Sequence, residues 1–366
     1  MRILSLIKTK NLTYGGPINL LNLQKNDLKD RCQIEIMPTD RLNFWLLVLM
    51  FCGLKKNFFF YKFDIIHFHD IWNIKSIIIA HALKKNSIPF LFSLHGLFDI
   101  WSLSKNFIIK RIIYFLFLKS LFLKNSCLQV STQKEFEEAK VLINSKNFFL
   151  LPNGVNLNYF NNNPKTINRN KINLIFFGRV HKKKGIEILL LSFNKLITDP
   201  VYKQIQFELK IIGPGTIDYI NQIKNLVKKF KLQNNVKILD PIFDTEKKIN
   251  FLKKQDFFIL PSFEEADSVA LKEALALGLP VIISEQCRLE DVEKFNCGLI
   301  AKTDILDLFL KLKEILNKDY SYMSLNAINL IKNKYNSKLI NDNLYKIYLD
   351  VLHGTRFSEN WIRNNN

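Results

Sequence analysis

The segment Pro261–Ser284 (PSFEEADSVALKEALALGLPVIIS) carries the most suggestive pair of groups in the chain, Glu265 and Glu273. On one helix their spacing would place them up to ~12 Å apart along the axis. That is too wide for the carboxylate pair of a retaining hydrolase, at ~5–5.5 Å. It suits two carboxylates gripping opposite ends of an extended ligand, such as the sugar and the ribose of a nucleotide sugar. The competing reading makes Glu265 a partner of a helix dipole and Glu273 a solvated helix residue. Helical spacing begins at Ser268 (Val269, Leu271, Ala274, Leu275) and stops at Gly278, with Pro280 beyond. Free amides at such a helix start suit an anion.

A second constellation is Gly178–Gly185 (GRVHKKKG), between an apolar run (INLIFF) and a helical pattern from Ile186. Arg179 can fork onto phosphate oxygens and Lys184 adds a point charge. An ordinary solvated basic loop reads the same way. The Gly213–Gly215 turn (GPG) is weaker still, because turns use the same residues. Tyr14-Gly15-Gly16-Pro17 follows the first apolar run. It fits a tight turn or a place where phosphate meets backbone amides, and it is no GxGxxG. His67, His69 and His95 sit at ends of strand-like runs. His67-x-His69-Asp70 invites a metal, but no third cluster completes a site, so no metal is expected. His95, beside Gly96, is either a cleft residue or a structural histidine bonded to a loop carbonyl.

These residues must be positioned by something, and apolar periodicity supplies it. Strands are expected at Arg2–Ile7, Ile34–Met37, Asp64–His69, Pro89–His95, Ser126–Ser131 and Phe148–Pro152. A second series runs Lys171–Phe177, Glu208–Gly213, Val236–Leu239, Asp256–Pro261, Pro280–Ser284 and Gly298–Ala301. Helical patterns lie between most of them, which implies parallel sheets covered on both faces. Two series of similar size, split by the Asn-rich stretch Asn156–Asn173, predict two doubly wound α/β domains joined by a linker. The expected bounds are 1–160 and 170–344, with a helical pattern over Asn341–Arg363. An eight-stranded barrel is the topological alternative, and the central break argues against it. Ligands of open α/β sheets bind beyond the strands' carboxyl ends.

Composition narrows the class. The 366 residues are 48% hydrophobic and 23% charged, which excludes a disordered chain or a small disulfide scaffold. The net charge of +20 fits an anionic membrane, nucleic acid or phosphorylated substrates, or a compositional bias toward Lys and Asn. Five scattered cysteines without a CxxC pair fit a reducing compartment. No secretory signal is read in MRILSLI, and the apolar run Leu42–Leu54 falls short of a bilayer span. A cytoplasmic protein, peripheral at the inner face of the cell membrane, is expected. Two stretches carry that second part: Leu54–Phe63 (LKKNFFFYKF) and Asn106–Lys124 (NFIIKRIIYFLFLKSLFLK). Each reads as an element inserting into an anionic surface or as a buried helix with snorkelling lysines.

Taken together, five motifs resemble the group 1 glycosyl transferases, the retaining family 4 with the GT-B fold. They are GGP near the start, HGLFDIW at His95–Trp101, LPNGVN at Leu151–Asn156, GRVHKKKG, and E-x7-E followed by EALALGLPVI. HGLFDIWSL is similar to the bacterial surface-polysaccharide branch, and the resemblance to GT-B proteins implies that the last helix, about 345–366, packs back on the first domain. The resemblance implies that Arg179 and Lys184 bind the donor diphosphate. Glu265 would contact donor-sugar hydroxyls near the reacting carbon, and Glu273 the ribose. The amides of Ser268, Val269 and Ala270 would lie over the phosphates, Gly15 and Gly16 would meet phosphate or acceptor, and His95 would lie near the donor sugar. Ala266-Asp267-Ser268 stand where the family often has glycines, and Asp267 beside a diphosphate would repel it unless turned away.

The resemblance further implies transfer of a sugar from a nucleotide sugar to a lipid-linked or glycan acceptor in polysaccharide or lipopolysaccharide assembly. The resemblance brings neither a cofactor nor a metal, because cationic side chains can stabilise the leaving diphosphate. The alternatives are another GT-B enzyme, such as a nucleotide-sugar epimerase or phosphorylase, and an inactive glycan-binding homologue. A nucleic-acid-binding role is not expected, since no such module is present.

Overall fold

A computed structural model describes residues 1–9, 17–51, 59–96, 107–122, 126–143, 147–160 and 163–354. Gly15, Gly16 and most of HGLFDIW lie outside the described residues. The chain forms two compact units. One comprises Met1–Gly154 and the chain from Ser337 onward, the other Val155–Asn336.

The first unit contains strands β1 (Arg2–Ile7), β2 (Gln33–Pro38), β3 (Ile65–Phe68), β4 (Phe90–Ser93), β5 (Cys127–Val130) and β6 (Phe148–Leu150). They form one parallel sheet in the order β2-β1-β3-β4-β5-β6. The period of two sorts the side chains cleanly. Ile66, Phe68, Phe92 and Val130 enter one core, Ile3, Ile65, Leu91 and Cys127 the other. Burial on both faces explains why the strands read as unbroken apolar runs.

The second core is closed by the helix Ser337–Leu352, which contributes Ile340, Leu344, Ile347 and Tyr348. The chain rejoins this unit at Ser337, earlier than the position near 345 expected from the GT-B resemblance. Further toward the carboxyl ends, the same sheet face carries polar residues instead. Tyr348 OH bonds His67 Nδ1 at 2.9 Å, and His67 Nε2 bonds Ser93 Oγ at 2.7 Å. Ser93 donates to Gln129 Oε1 at 2.5 Å, and Gln129 Nε2 donates to Leu151 O at 3.0 Å. Each member is buried and paired, which is what makes such a row tolerable in a core.

The second unit holds β7 (Lys171–Phe177), β8 (Gln206–Ile212), β9 (Val236–Leu239), β10 (Phe257–Leu260), β11 (Val281–Ser284) and β12 (Gly298–Ala301). Their order is β12-β11-β10-β7-β8-β9, all parallel. Counted from the first strand of the unit this is the Rossmann order, with its switch point between β7 and β10. Two doubly wound α/β halves are therefore observed, and the barrel alternative falls. The Asn-rich stretch is no free tether. Leu157, Phe160 and Ile167 pack against the second core, and the Lys165 amide donates to Ser324 Oγ at 2.9 Å.

Among the described residues no helix is long and apolar enough to cross a membrane. Of Leu54–Phe63, Phe60 and Phe63 are buried, with Lys62 over the rings of Phe59 and Phe63. Residues 54–58 lie outside the described set.

Tyr348→Phe strips His67 Nδ1 of its hydrogen-bond partner inside the core. We expect a loss of ~1–3 kcal/mol of unfolding free energy, read from the urea midpoint.

Candidate functional site

The switch point decides which loops meet. β7 and β10 are neighbours in register, Phe257 beside Leu174 and Phe258 beside Ile175. The chain leaving β7 is Gly178–Gly185, and the chain leaving β10 is Pro261–Ser268. They are stitched together by the Phe263 amide, which donates to Lys183 O at 2.7 Å. Gly185 takes φ +66°, and a Cβ there would collide with Pro261 O, so the close approach depends on glycine.

Lys184 and Glu265 meet in that seam. Lys184 Nζ pairs with Glu265 Oε1, and both side chains are nearly inaccessible. Ser262 Oγ donates to the same oxygen at 2.7 Å. Ser262 O in turn accepts from Ser284 Oγ at 2.5 Å, and the Glu265 amide donates to Gln286 O at 3.1 Å, so the loop after β11 joins the frame. Burial pushes the Glu265 carboxyl up, but the Lys184 cation, the Ser262 hydroxyl and Lys183 outweigh it and hold the group below its ordinary value. Glu265 is thus an ionised acceptor. Arg179 is exposed on the same loop. Burial lowers the Lys183 ammonium pKa, with the Lys184 charge the next contribution.

Glu265 lies in the loop, not on the helix that follows, so the axial span of the sequence argument is only an upper bound. That helix, Val269–Ala276, is capped by Ser268, whose side chain accepts from the Leu271 amide at 3.3 Å. The Ser268 hydroxyl is therefore engaged in capping. Glu273 sits on the helix and pairs with Lys248 Nζ at 2.5 Å, contributed by the helix Thr245–Leu252. Asp267 turns inward instead of toward a ligand. It pairs with Lys272 Nζ at 2.5 Å, and that cation lies 4.2 Å from the centroid of the Tyr335 ring. Sequence reasoning missed Lys248, Ser262 and the Asp267–Lys272 pair. Two of these lie close enough in sequence to have been signalled, Ser262 three residues before Glu265 and Lys272 five after Asp267, whereas Lys248 is 25 residues from Glu273.

In the first unit the carboxyl ends of β3 and β4 bring His69 and His95 together, Nδ1 to Nε2 at 3.1 Å. His95 sits at φ +46°, unusual for a non-glycine residue. The turn is anchored by Glu135, which accepts from the Gly96 amide at 2.5 Å and the Ser131 amide at 2.6 Å. His69, His95, Gln129, Asn153 and Asn341 line one hollow. Burial depresses all three histidines: His67 to about 3, His95 to about 4, and His69 well below its ordinary value. Among the described residues no group of three or more His, Cys, Asp or Glu is arranged to hold a metal ion.

Residues 160–335, nearly the whole second unit, match the family described as glycosyl transferases group 1. The second unit thus resembles a group 1 glycosyl transferase domain. Both constellations, Gly178–Gly185 and Glu265–Glu273, fall inside the glycosyltransferase match. Protein CapJ of Staphylococcus aureus is 25% identical over 213 residues, 58% of this chain and 51% of that protein. The UDP-Gal:alpha-D-GlcNAc-diphosphoundecaprenol alpha-1,3-galactosyltransferase of Escherichia coli is 30% identical over 165 residues, 43% of this chain and 39% of that one. The chain thus spans about half, or less, of these curated relatives. Among solved structures, sucrose-phosphate synthase of Thermosynechococcus elongatus aligns with TM-score 0.76 at 17% identity, over 97% of this chain and 100% of that one. Anabaena HepE in complex with UDP aligns with TM-score 0.73 at 16% identity, over 96% and 100%. At such identities the likeness is one of fold, two Rossmann-like halves of the GT-B type.

The depressed histidines set a direction for pH. Between the ordinary histidine value of 6.5 and their folded values, the unfolded chain binds more protons than the folded one. Stability therefore falls as pH drops through that window, by up to about 1.4 kcal/mol per pH unit for each histidine. Thermal melts across the window should show the decline, and His95→Asn should make it shallower.

Proposed function

We propose that the chain is a glycosyltransferase of bacterial polysaccharide assembly. It takes a sugar from a nucleoside diphosphate sugar and passes it, with retention of configuration, to a glycan acceptor carried on a lipid. The observation that carries this reading is the buried Lys184–Glu265 pair at the switch point of a unit that matches the group 1 glycosyl transferases. The relatives' names supply the setting: an amylovoran biosynthesis glycosyltransferase of Erwinia amylovora, and the diphosphoundecaprenol-linked galactosyltransferase above.

The chemistry follows from the charges. Negative charge grows on the departing diphosphate, and donors already fixed in place stabilise it without reorganising. Arg179, Lys184 and the amides at Ser268–Ala270 are assigned that task. An ammonium has three donors, so Lys184 can keep Glu265 and still reach a phosphate oxygen. Ionised Glu265 accepts hydroxyl protons of the donor sugar, and Glu273, steadied by Lys248, accepts those of the ribose. His95 is assigned to the donor sugar from the first unit, and Gly15 and Gly16 to the phosphate or acceptor. With Asp267 neutralised by Lys272, the substitution of glycine in this loop does not set a carboxylate against the diphosphate. We assign deprotonation of the acceptor hydroxyl to the leaving phosphate on the same face, which needs no enzyme carboxylate as nucleophile.

The test is incubation with UDP-, GDP- and ADP-sugars and a lipid-linked acceptor, following nucleoside diphosphate release and sugar transfer together. Lys184→Ala and Glu273→Ala should each lower turnover at least ~10²-fold. Unchanged rates in both variants would remove these assignments, and sugar isomerisation without transfer would favour an epimerase.

A further inference from the structure

Apolar all round is a pattern expected of a helix sealed inside a protein or in contact with lipid. The first unit holds such a helix partly in the open. Its three consecutive segments are Phe107–Ile113, the wider turn Tyr114–Leu118, and Lys119–Phe122. The inward side is an ordinary core face: Leu118, Leu121 and Phe122 are buried, with Ile113, Tyr114 and Phe117 beside them. It is fastened to the helix Ile74–Lys85 by His81, bonded to Phe117 O at 3.0 Å, and by Lys84, bonded to Ser120 O at 2.6 Å. The outward side is equally apolar. Ile108 is 73% exposed, Ile109 58%, Ile112 51%, Phe115 53% and Leu116 66%. Such a contiguous patch marks an interaction surface.

Charge selects the partner. Lys110, Arg111 and Lys119 are interspersed along the helix, and residues 107–122 contain no Asp or Glu. Arg111 and Lys119 flank the exposed Phe115 ring, and Lys110 stands over Trp72. A second copy of the chain meeting this face through a two-fold axis would bring the same cations against these, and the whole chain carries +20. An anionic lipid surface accepts both features, since headgroups meet the cations and acyl chains meet the isoleucines. The helix is too short to span a bilayer. We propose that Ile108–Lys119 is the face by which the first unit lies on an anionic phospholipid surface. This inference does not rest on the glycosyltransfer reading, and its readout is independent of turnover.

The test is co-sedimentation of the full chain with phosphatidylglycerol–phosphatidylcholine vesicles against phosphatidylcholine alone. The chain should pellet with the anionic vesicles at low salt and release as salt rises. Lys110→Gln/Arg111→Gln/Lys119→Gln should weaken partitioning about 100-fold, at about fivefold per cation. Ile109→Glu/Leu116→Glu should weaken it at least ~10-fold. All five positions are at the surface or half-buried, so circular dichroism melts should match the parent chain. No pelleting of the parent at low salt overturns the proposal, as does equal pelleting of parent and both variants. A lipid-free dimer that Ile109→Glu/Leu116→Glu dissolves, with no vesicle binding by the parent, assigns the face to self-association instead.

Discussion

A lysine and a glutamate buried side by side are costly unless each completes the other. Lys184 and Glu265 come from loops far apart in sequence, and they meet only because β7 and β10 are adjacent where the strand order reverses. Their pairing requires the loop after β7 to turn at Gly185, the loop after β10 to run beneath it, and Ser262 to offer its hydroxyl to the shared oxygen. Displacing any of these would leave an uncompensated charge in the interior. The same arrangement leaves the domain an ionised acceptor and a cation next to each other, the combination that a sugar joined to a phosphate calls for.

The segment from Glu265 to Glu273 is held by three lysines. Lys184 comes from the loop after β7, Lys248 from the helix after β9, and Lys272 from the segment itself. Each is largely withdrawn from solvent, where a Coulombic contact is screened less than at the surface. In a chain of net charge +20 much of the excess is solvated, but these three cations are matched one to one with carboxylates. The geometry of the segment is therefore fixed before any ligand arrives, which is how a binding site avoids reorganising when it is used.

The strands and their grouping were legible because parallel strands buried on both faces leave continuous apolar runs, and the runs fell into two sets. Lys184 and Glu265 were legible as types in loops after strands, though their direct pairing was not. Glu273 was legible from spacing, but Lys248 was not, because a helix-to-helix contact across 25 residues leaves no local periodicity. Asp267 read as a repulsive intruder, since sequence alone does not say which way a loop side chain turns. The histidines show the same limit from the other side. His67-x-His69 invited a metal, whereas the fold gives His67 to Tyr348, from the far end of the chain, and His69 to His95.

The helix Ser337–Leu352 belongs to the unit that begins at Met1. A ribosome releases the second unit as one uninterrupted stretch, ready to fold as soon as it emerges. The first unit has no such freedom. Its sheet face at Ile3, Ile65, Leu91 and Cys127 stays bare until Ile340, Leu344 and Tyr348 have been made. During translation the amino-terminal part must therefore wait, with apolar surface exposed, until the helix Ser337–Leu352 has emerged. The order of completion in the cell is thus the reverse of the order of synthesis, and the waiting half is where chaperones would be needed most.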